Sequence, residues 1–136
     1  MYERKMQEKP LSLSDIKHNL VIIKINQSYK QNLSTRELYE YTRGFWRNRI
    51  EYVQPAQFAL AVAQGEVVEV YKINEWVMAK DADNIIRVYD PQKYQHRIAF
   101  KGEVAPDNIR DYYLGRHVGS LYKFGEASPV KLFLKE

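Results

Sequence analysis

The sequence contains no cysteine. This absence excludes a disulfide framework, a thiolate zinc site and a cysteine nucleophile, and it favours an intracellular location. Long apolar runs are absent as well: "LVII" and "FALAVA" are far shorter than a membrane-spanning segment, and residues 1–19 lack the apolar core of a signal peptide. We therefore expect a cytoplasmic protein that has no membrane partner.

The patterns that identify common enzyme classes are missing too. The three histidines, His18, His96 and His117, have no metal-ligand spacing. No glycine-rich phosphate loop follows a strand, and no Gly-x-Ser-x-Gly elbow is present. We predict no catalytic residue, no metal site and no cofactor. A small nuclease or nucleotide hydrolase stays an alternative, supported by His96, Asp90 and Glu69 near the ends of predicted strands.

The composition is that of one globular domain. The chain has 136 residues, of which 45% are hydrophobic and 28% charged, and its net charge of +4 is of the kind that attracts polyanions. Residues 1–19 are charged and aperiodic, which predicts a loose or docking N-terminal arm. Residues 20–136 are expected to form a single domain.

The order of elements predicts a small α+β domain. Ser34 and Glu37 have the spacing of a capping box, so a helix is expected to begin there and to end at Gly44. Gln64-Gly65 is expected to join two strands in a tight hairpin. The strands are predicted at 19–25, 58–63, 66–78, 85–90, 96–104 and 128–136, with a second helix within 105–115. This order favours a curved or barrel-like, mostly antiparallel sheet with two or three short helices.

Residues 33–65 carry four arginines and no lysine. These arginines are Arg36, Arg43, Arg47 and Arg49. If the helix continues through Arg47, its periodicity brings Arg36, Arg43 and Arg47 within about 40° of one another. A planar guanidinium suits bidentate phosphate contacts and stacking. We therefore predict a phosphate-binding surface, with a solvated helix face as the alternative.

Aromatic residues accompany these arginines. Trp46 follows Gly44, where a ring beside a helix end is less easily explained as part of the core. Tyr71 and Trp76, on the predicted strand 66–78, are candidate walls of a pocket, or else core residues. Rings combined with arginines are typical of proteins that hold single strands or extruded bases.

Four segments occur in a fixed order: "ELYEYTRGFW", "AQFALAVAQGEVVEVYKINEW", "GEVAPDNIRDYYLGRHV" and "GEASPVKLFL". Together, from about Leu20 to Leu134, they resemble a widespread, poorly characterised family of bacterial and phage domains. The order of elements is similar to that of the PUA-like barrel of the ASCH, EVE, YTH and SRA groups. The resemblance implies binding of DNA or RNA, often through a modified or flipped base held in an aromatic pocket.

Three functions are therefore considered: a non-enzymatic nucleic-acid reader, the hydrolase named above, and an accessory module that binds another protein through Trp46 and the arginines. The reader is favoured. The helix-end motif of the resemblance matches Thr42, Arg43, Gly44 and Trp46, and its strand motif matches Tyr71 and Trp76. The predicted nucleic-acid-binding residues are Arg36, Thr42, Arg43, Trp46, Arg47, Arg49, Tyr71 and Trp76.

Overall fold

A computed structural model describes residues 9–26, 29, 32–83, 85 and 90–135. The strands in these residues are β1 (Leu20–Lys24), β2 (Phe58–Ala63), β3 (Glu66–Met78), β4 (Ile98–Val104) and β5 (Val130–Phe133). The α-helices are α1 (Thr35–Arg43), α2 (Ile50–Val53) and α3 (Asp107–Tyr113). None of the helices described is long and apolar enough to cross a membrane.

The described strands form one mixed sheet in the order β4-β3-β2-β1-β5. β1 runs parallel to β2, and the other neighbouring pairs are antiparallel. The α+β class is confirmed, but these five strands form an open sheet and not a closed barrel. Helices cover both faces of the sheet, so its apolar surface is buried without closure.

Alternation along β1 shows how the two faces are filled. Leu20 and Ile22 pack in a core cluster with Tyr113 of α3, whereas Val21 and Ile23 pack in a second cluster beside α1 and α2. All four of these β1 side chains are fully buried. The continuous apolar run "LVII" is explained by this burial on both faces.

The described part of the N-terminal arm, residues 9–19, docks on the α3 side of the sheet. Leu11 is fully buried, and its backbone N–H donates to the His117 carbonyl at 2.7 Å. Arg116 Nη2 donates to Asp15 Oδ2 at 2.8 Å, which ties the arm to the loop after α3. Residues 1–8 of the predicted arm lie outside the described residues.

The local predictions about helix and turn ends are confirmed. Glu37 N donates to Ser34 Oγ and Ser34 N donates to Glu37 Oε1, both at 3.1 Å, so the capping box forms. α1 ends before Gly44, and the β2–β3 hairpin turns with φ of 52° at Gln64 and 80° at Gly65. Of the strand predicted at 85–90, residues 86–89 lie outside the described residues.

Gly102 lies at a very close approach of β4 to β3. A Cβ at this position would be 2.1 Å from the Lys72 carbonyl oxygen. Because that oxygen belongs to the backbone, Gly102→Ala is expected to lower the free energy of unfolding by at least about 1–3 kcal/mol in denaturant titrations. Gly119→Ala is the matched control, since a Cβ there meets nothing within 4 Å, and a change below about 0.5 kcal/mol is expected. Equal stability of the two variants would contradict the close approach.

Candidate nucleic-acid interface

The chain leaves α1 at Gly44 because it presses against β4 there. A Cβ on Gly44 would lie 2.7 Å from Ala99 Cβ. Beyond it the backbone pairs with the start of β4: Trp46 N donates to the Ile98 carbonyl at 2.9 Å, and Ile98 N donates back at 3.0 Å. Arg47 is therefore not on the helix, and the predicted alignment of Arg36, Arg43 and Arg47 on one helical face is wrong.

Two residues that were predicted to bind nucleic acid lie on the buried side of α1. Thr42 is fully buried and Arg43 is 3% exposed, whereas Leu38 is only partly buried. Thr42 Oγ1 donates to the Leu38 carbonyl at 2.7 Å, so this hydroxyl is hydrogen-bonded within the helix. Thr42 and Arg43 are thus not on the outer surface that the sequence predicted.

Tyr71 and Trp76 belong to the core, so the prediction that they wall a ligand pocket is wrong. They are 1% and 9% exposed, and burial raises the pKa of Tyr71 far above its usual range. Their ring centroids lie 6.1 and 5.4 Å from that of Phe100. The pairing of β3 with β4 shifts register at Asn74. Tyr71 and Trp76 are five residues apart and would lie on opposite faces of a regular strand, but this shift places them on the same face.

Trp46 has an intermediate position. Its ring packs against the core cluster beside α1, and it is only partly buried. Its indole Nε1 donates to the Thr42 carbonyl near the end of α1 at 2.9 Å. The polar atom is therefore used within the fold, and only exposed ring surface is available to a ligand.

A cavity of about 420 Å³ lies between the loop after Trp46 and the turn before β4. We call it the basic groove. Its lining residues are Arg47, Asn48, Arg49, Lys93, His96 and Arg97. Three arginines and a lysine thus converge in a site that has no carboxylate in its lining.

Contacts between the two segments hold the groove together. Arg97 Nη1 donates to the Phe45 carbonyl at 3.2 Å, and the Arg97 guanidinium lies over the Tyr94 ring, 4.8 Å from its centroid. Among the described residues, no carboxylate pairs with Arg47, Arg49 or Lys93. No carboxylate in this part of the protein therefore offsets their charge, which makes the groove attractive to an anion.

The structure divides the predicted site. Arg47 and Arg49 line the basic groove and Trp46 precedes them, whereas the exposed Arg36 lines a different cavity, together with Arg43. Sequence reasoning missed Lys93 and Arg97, and it considered His96 only for the hydrolase alternative. The segment "KYQHR" contains three basic residues, but no local sequence pattern indicates that this turn lies beside Arg47.

The residues behind the hydrolase alternative are not brought together. The Glu69 carboxylate is bound by Arg110, whose Nε and Nη2 donate at 2.6 and 3.3 Å. His96 lies near Ile98, which pairs with Met78 at the end of β3. Glu69 is nine residues before Met78 on the same strand, so about 30 Å separates Glu69 from His96. No group of three or more metal-ligating side chains occurs within the ranges described.

Comparison of the chain with profiles of protein families, with curated proteins and with solved structures gave no match. The resemblance to PUA-like domains therefore stays a prediction. The inference about function depends on the geometry and charge of the basic groove.

Proposed function

We propose that this protein binds nucleic acid, without catalysing a reaction on it, through the basic groove. The observation that carries the proposal is the lining: four permanent cations, no carboxylate, and no carboxylate partner for Arg47, Arg49 or Lys93 in the described part of the chain. Guanidinium groups bind phosphate oxygens through paired, charge-assisted hydrogen bonds. A phosphate backbone in the groove would replace the repulsion between these side chains with attraction.

Ring surface near the groove favours a single strand over a duplex. Trp46 comes directly before Arg47, and Tyr52, which follows Arg49 by three residues, is 47% exposed. Unpaired bases stack on such rings whatever their sequence, because every base has a π-face. Tyr71 and Trp76 are buried, so selection of a modified or flipped base is not assigned to them.

The PUA-like relationship is proposed separately from the binding site. Its support is the size of the domain, the order of its elements and the α+β class. The open sheet of the described strands adds nothing to that support. The basic groove does not depend on this relationship, because its argument uses only contacts within this chain.

Salt dependence tests the proposed function. Fluorescence anisotropy of a labelled single-stranded oligonucleotide is expected to show binding whose log K falls linearly with log salt. The slope should be about −0.7 for each phosphate contact, and therefore about −2 to −3 for the four cations. Absence of binding at low salt would overturn the proposal. Oligonucleotide binding that does not depend on salt would contradict phosphate contacts in the basic groove.

A further inference from the structure

A second cavity, of about 540 Å³, lies between α1 and the β3–β4 side of the sheet. We call it the α1 cavity. Its lining residues are Arg36, Tyr39, Glu40, Arg43, Asn74, Asp83, Lys101 and Gly102. Its volume is within the range of small-molecule sites, and it shares no lining residue with the basic groove.

Arg43 is the unusual residue of this cavity. Its side chain is 3% exposed, yet Nε and Nη2 have no hydrogen-bond partner among the described residues. The carboxylate paired with it, that of Asp83, is 4.0 Å from Nη2 and is itself 63% exposed. A buried guanidinium whose N–H groups lack acceptors is unfavourable, so an acceptor supplied by a ligand would stabilise it.

Another arginine of the same chain shows what this pair of nitrogens binds. Nε and Nη2 form one edge of a guanidinium, and Arg110 uses that edge for the two oxygens of Glu69, at 2.6 and 3.3 Å. In Arg43 the same edge faces no acceptor within the described residues. The edge matches a carboxylate or a phosphate, both of which present two oxygens at suitable spacing.

Contacts within the fold fix Tyr39, which lies beside Arg43 in the α1 cavity. The Arg43 guanidinium carbon lies 5.2 Å from the Tyr39 ring centroid, which is within the range of a cation–π contact. The Tyr39 hydroxyl accepts a hydrogen bond from Gly102 N at 2.9 Å, and this fixes the ring against β4. Arg36 and Lys101 add two further cations to the lining, although Lys101 also pairs with Glu75 at 3.7 Å. The carboxylates of Glu40 and Asp83 offset part of this charge. Nε and Nη2 of Arg43 have almost no accessible surface, so another lining side chain must move before a ligand can reach them.

We propose that the α1 cavity binds the oxyanion group of a small molecule, a carboxylate or a phosphate monoester, through Nε and Nη2 of Arg43. This inference is independent of the proposed function, since it uses another cavity and other side chains. The guanidinium edge fits both a carboxylate and a phosphate, so an experiment must show which of the two anions binds.

NMR of the arginine Nε–H groups tests the proposal on the whole protein. Inorganic phosphate and acetate are titrated separately, and a saturable shift of the Arg43 signal is expected with at least one of them. A response to phosphate identifies the phosphate source, and a response to acetate the carboxylate. The Arg110 signal is the internal control, because Glu69 already occupies that edge. No saturable shift at Arg43 with either anion would overturn the proposal.

Two variants sharpen this test. Asp83→Asn removes a competing carboxylate from an exposed position, so affinity for the responding anion should rise by up to about fivefold. Unchanged or weaker affinity would count against the site. Arg47→Gln, in the basic groove, should leave the Arg43 titration unchanged. If it abolished that titration, the proposed independence of the two sites would be wrong.

Discussion

Replacing Arg47 and Lys93 together by glutamine is expected to weaken single-stranded nucleic-acid binding by about 100-fold at low salt. The two side chains come from opposite sides of the basic groove, and both are exposed. At these exposed positions each charge-assisted contact that is lost should cost about 1.5 kcal/mol, roughly tenfold in affinity. The magnitude of the salt slope should fall by about 1.4, which corresponds to two phosphate contacts on a single strand.

A second double variant with the same change in net charge distinguishes the effect of the groove from the effect of net charge. Lys123→Gln combined with Lys135→Gln also removes two exposed cations, but neither residue lines the groove. With both double variants compared at about 0.1 M salt, its affinity should change by less than about threefold. The Debye length is then about 10 Å, and Lys135 follows β5, at the opposite edge of the sheet from β4 and the groove. Equal losses in the two double variants would show that binding follows net charge alone, which would contradict a defined groove.

Tyr71→Ala is expected to lower the free energy of unfolding by about 3–5 kcal/mol. The ring is 1% exposed and packs against Tyr39 and Phe100, with centroid distances of 5.5 and 6.1 Å. Truncating a buried aromatic ring removes transfer free energy and leaves a cavity. Denaturant titration measures the loss, and a change below about 1 kcal/mol would contradict the core position of Tyr71.

Tyr71→Phe is the matched control for the alanine variant. The Tyr71 hydroxyl is buried and no group among the described residues meets the geometry of a hydrogen bond with it, because the neighbouring Thr42 hydroxyl donates to the Leu38 carbonyl instead. Removing it should therefore leave stability unchanged or raise it by up to about 1 kcal/mol. A large loss in the phenylalanine variant would show that the hydroxyl, and not the ring, is what the fold requires.

Gly44 divides the arginines of residues 36–49 between two sites. Because the helix stops where the backbone contacts Ala99, Arg36 and Arg43 stay on α1 and line the α1 cavity. The chain then pairs with β4 and carries Arg47 and Arg49 to the basic groove. The arginines that the sequence grouped into one surface therefore line two separate cavities.

Features set by neighbouring residues were predictable from the sequence. The capping box of Ser34 and Glu37 needs only residues three apart, and the β2–β3 hairpin needs only the conformations at Gln64 and Gly65. The class of fold followed from the order of such elements. Of the candidate site, Arg47 and Arg49 are exposed as a phosphate-binding surface requires, but the helical face that was predicted to present Arg47 does not form.

Tertiary structure alone decided which residues meet. The irregularity at Asn74 puts Tyr71 and Trp76 on one buried face, although their spacing in a regular strand would separate them. The groove depends on contacts such as that between Arg97 and Phe45, which are 52 residues apart. Arg43 is buried because Gly44 brings the end of α1 against β4. Such pairings follow from packing across the whole chain, so local sequence patterns determine the elements but not the sites they form together.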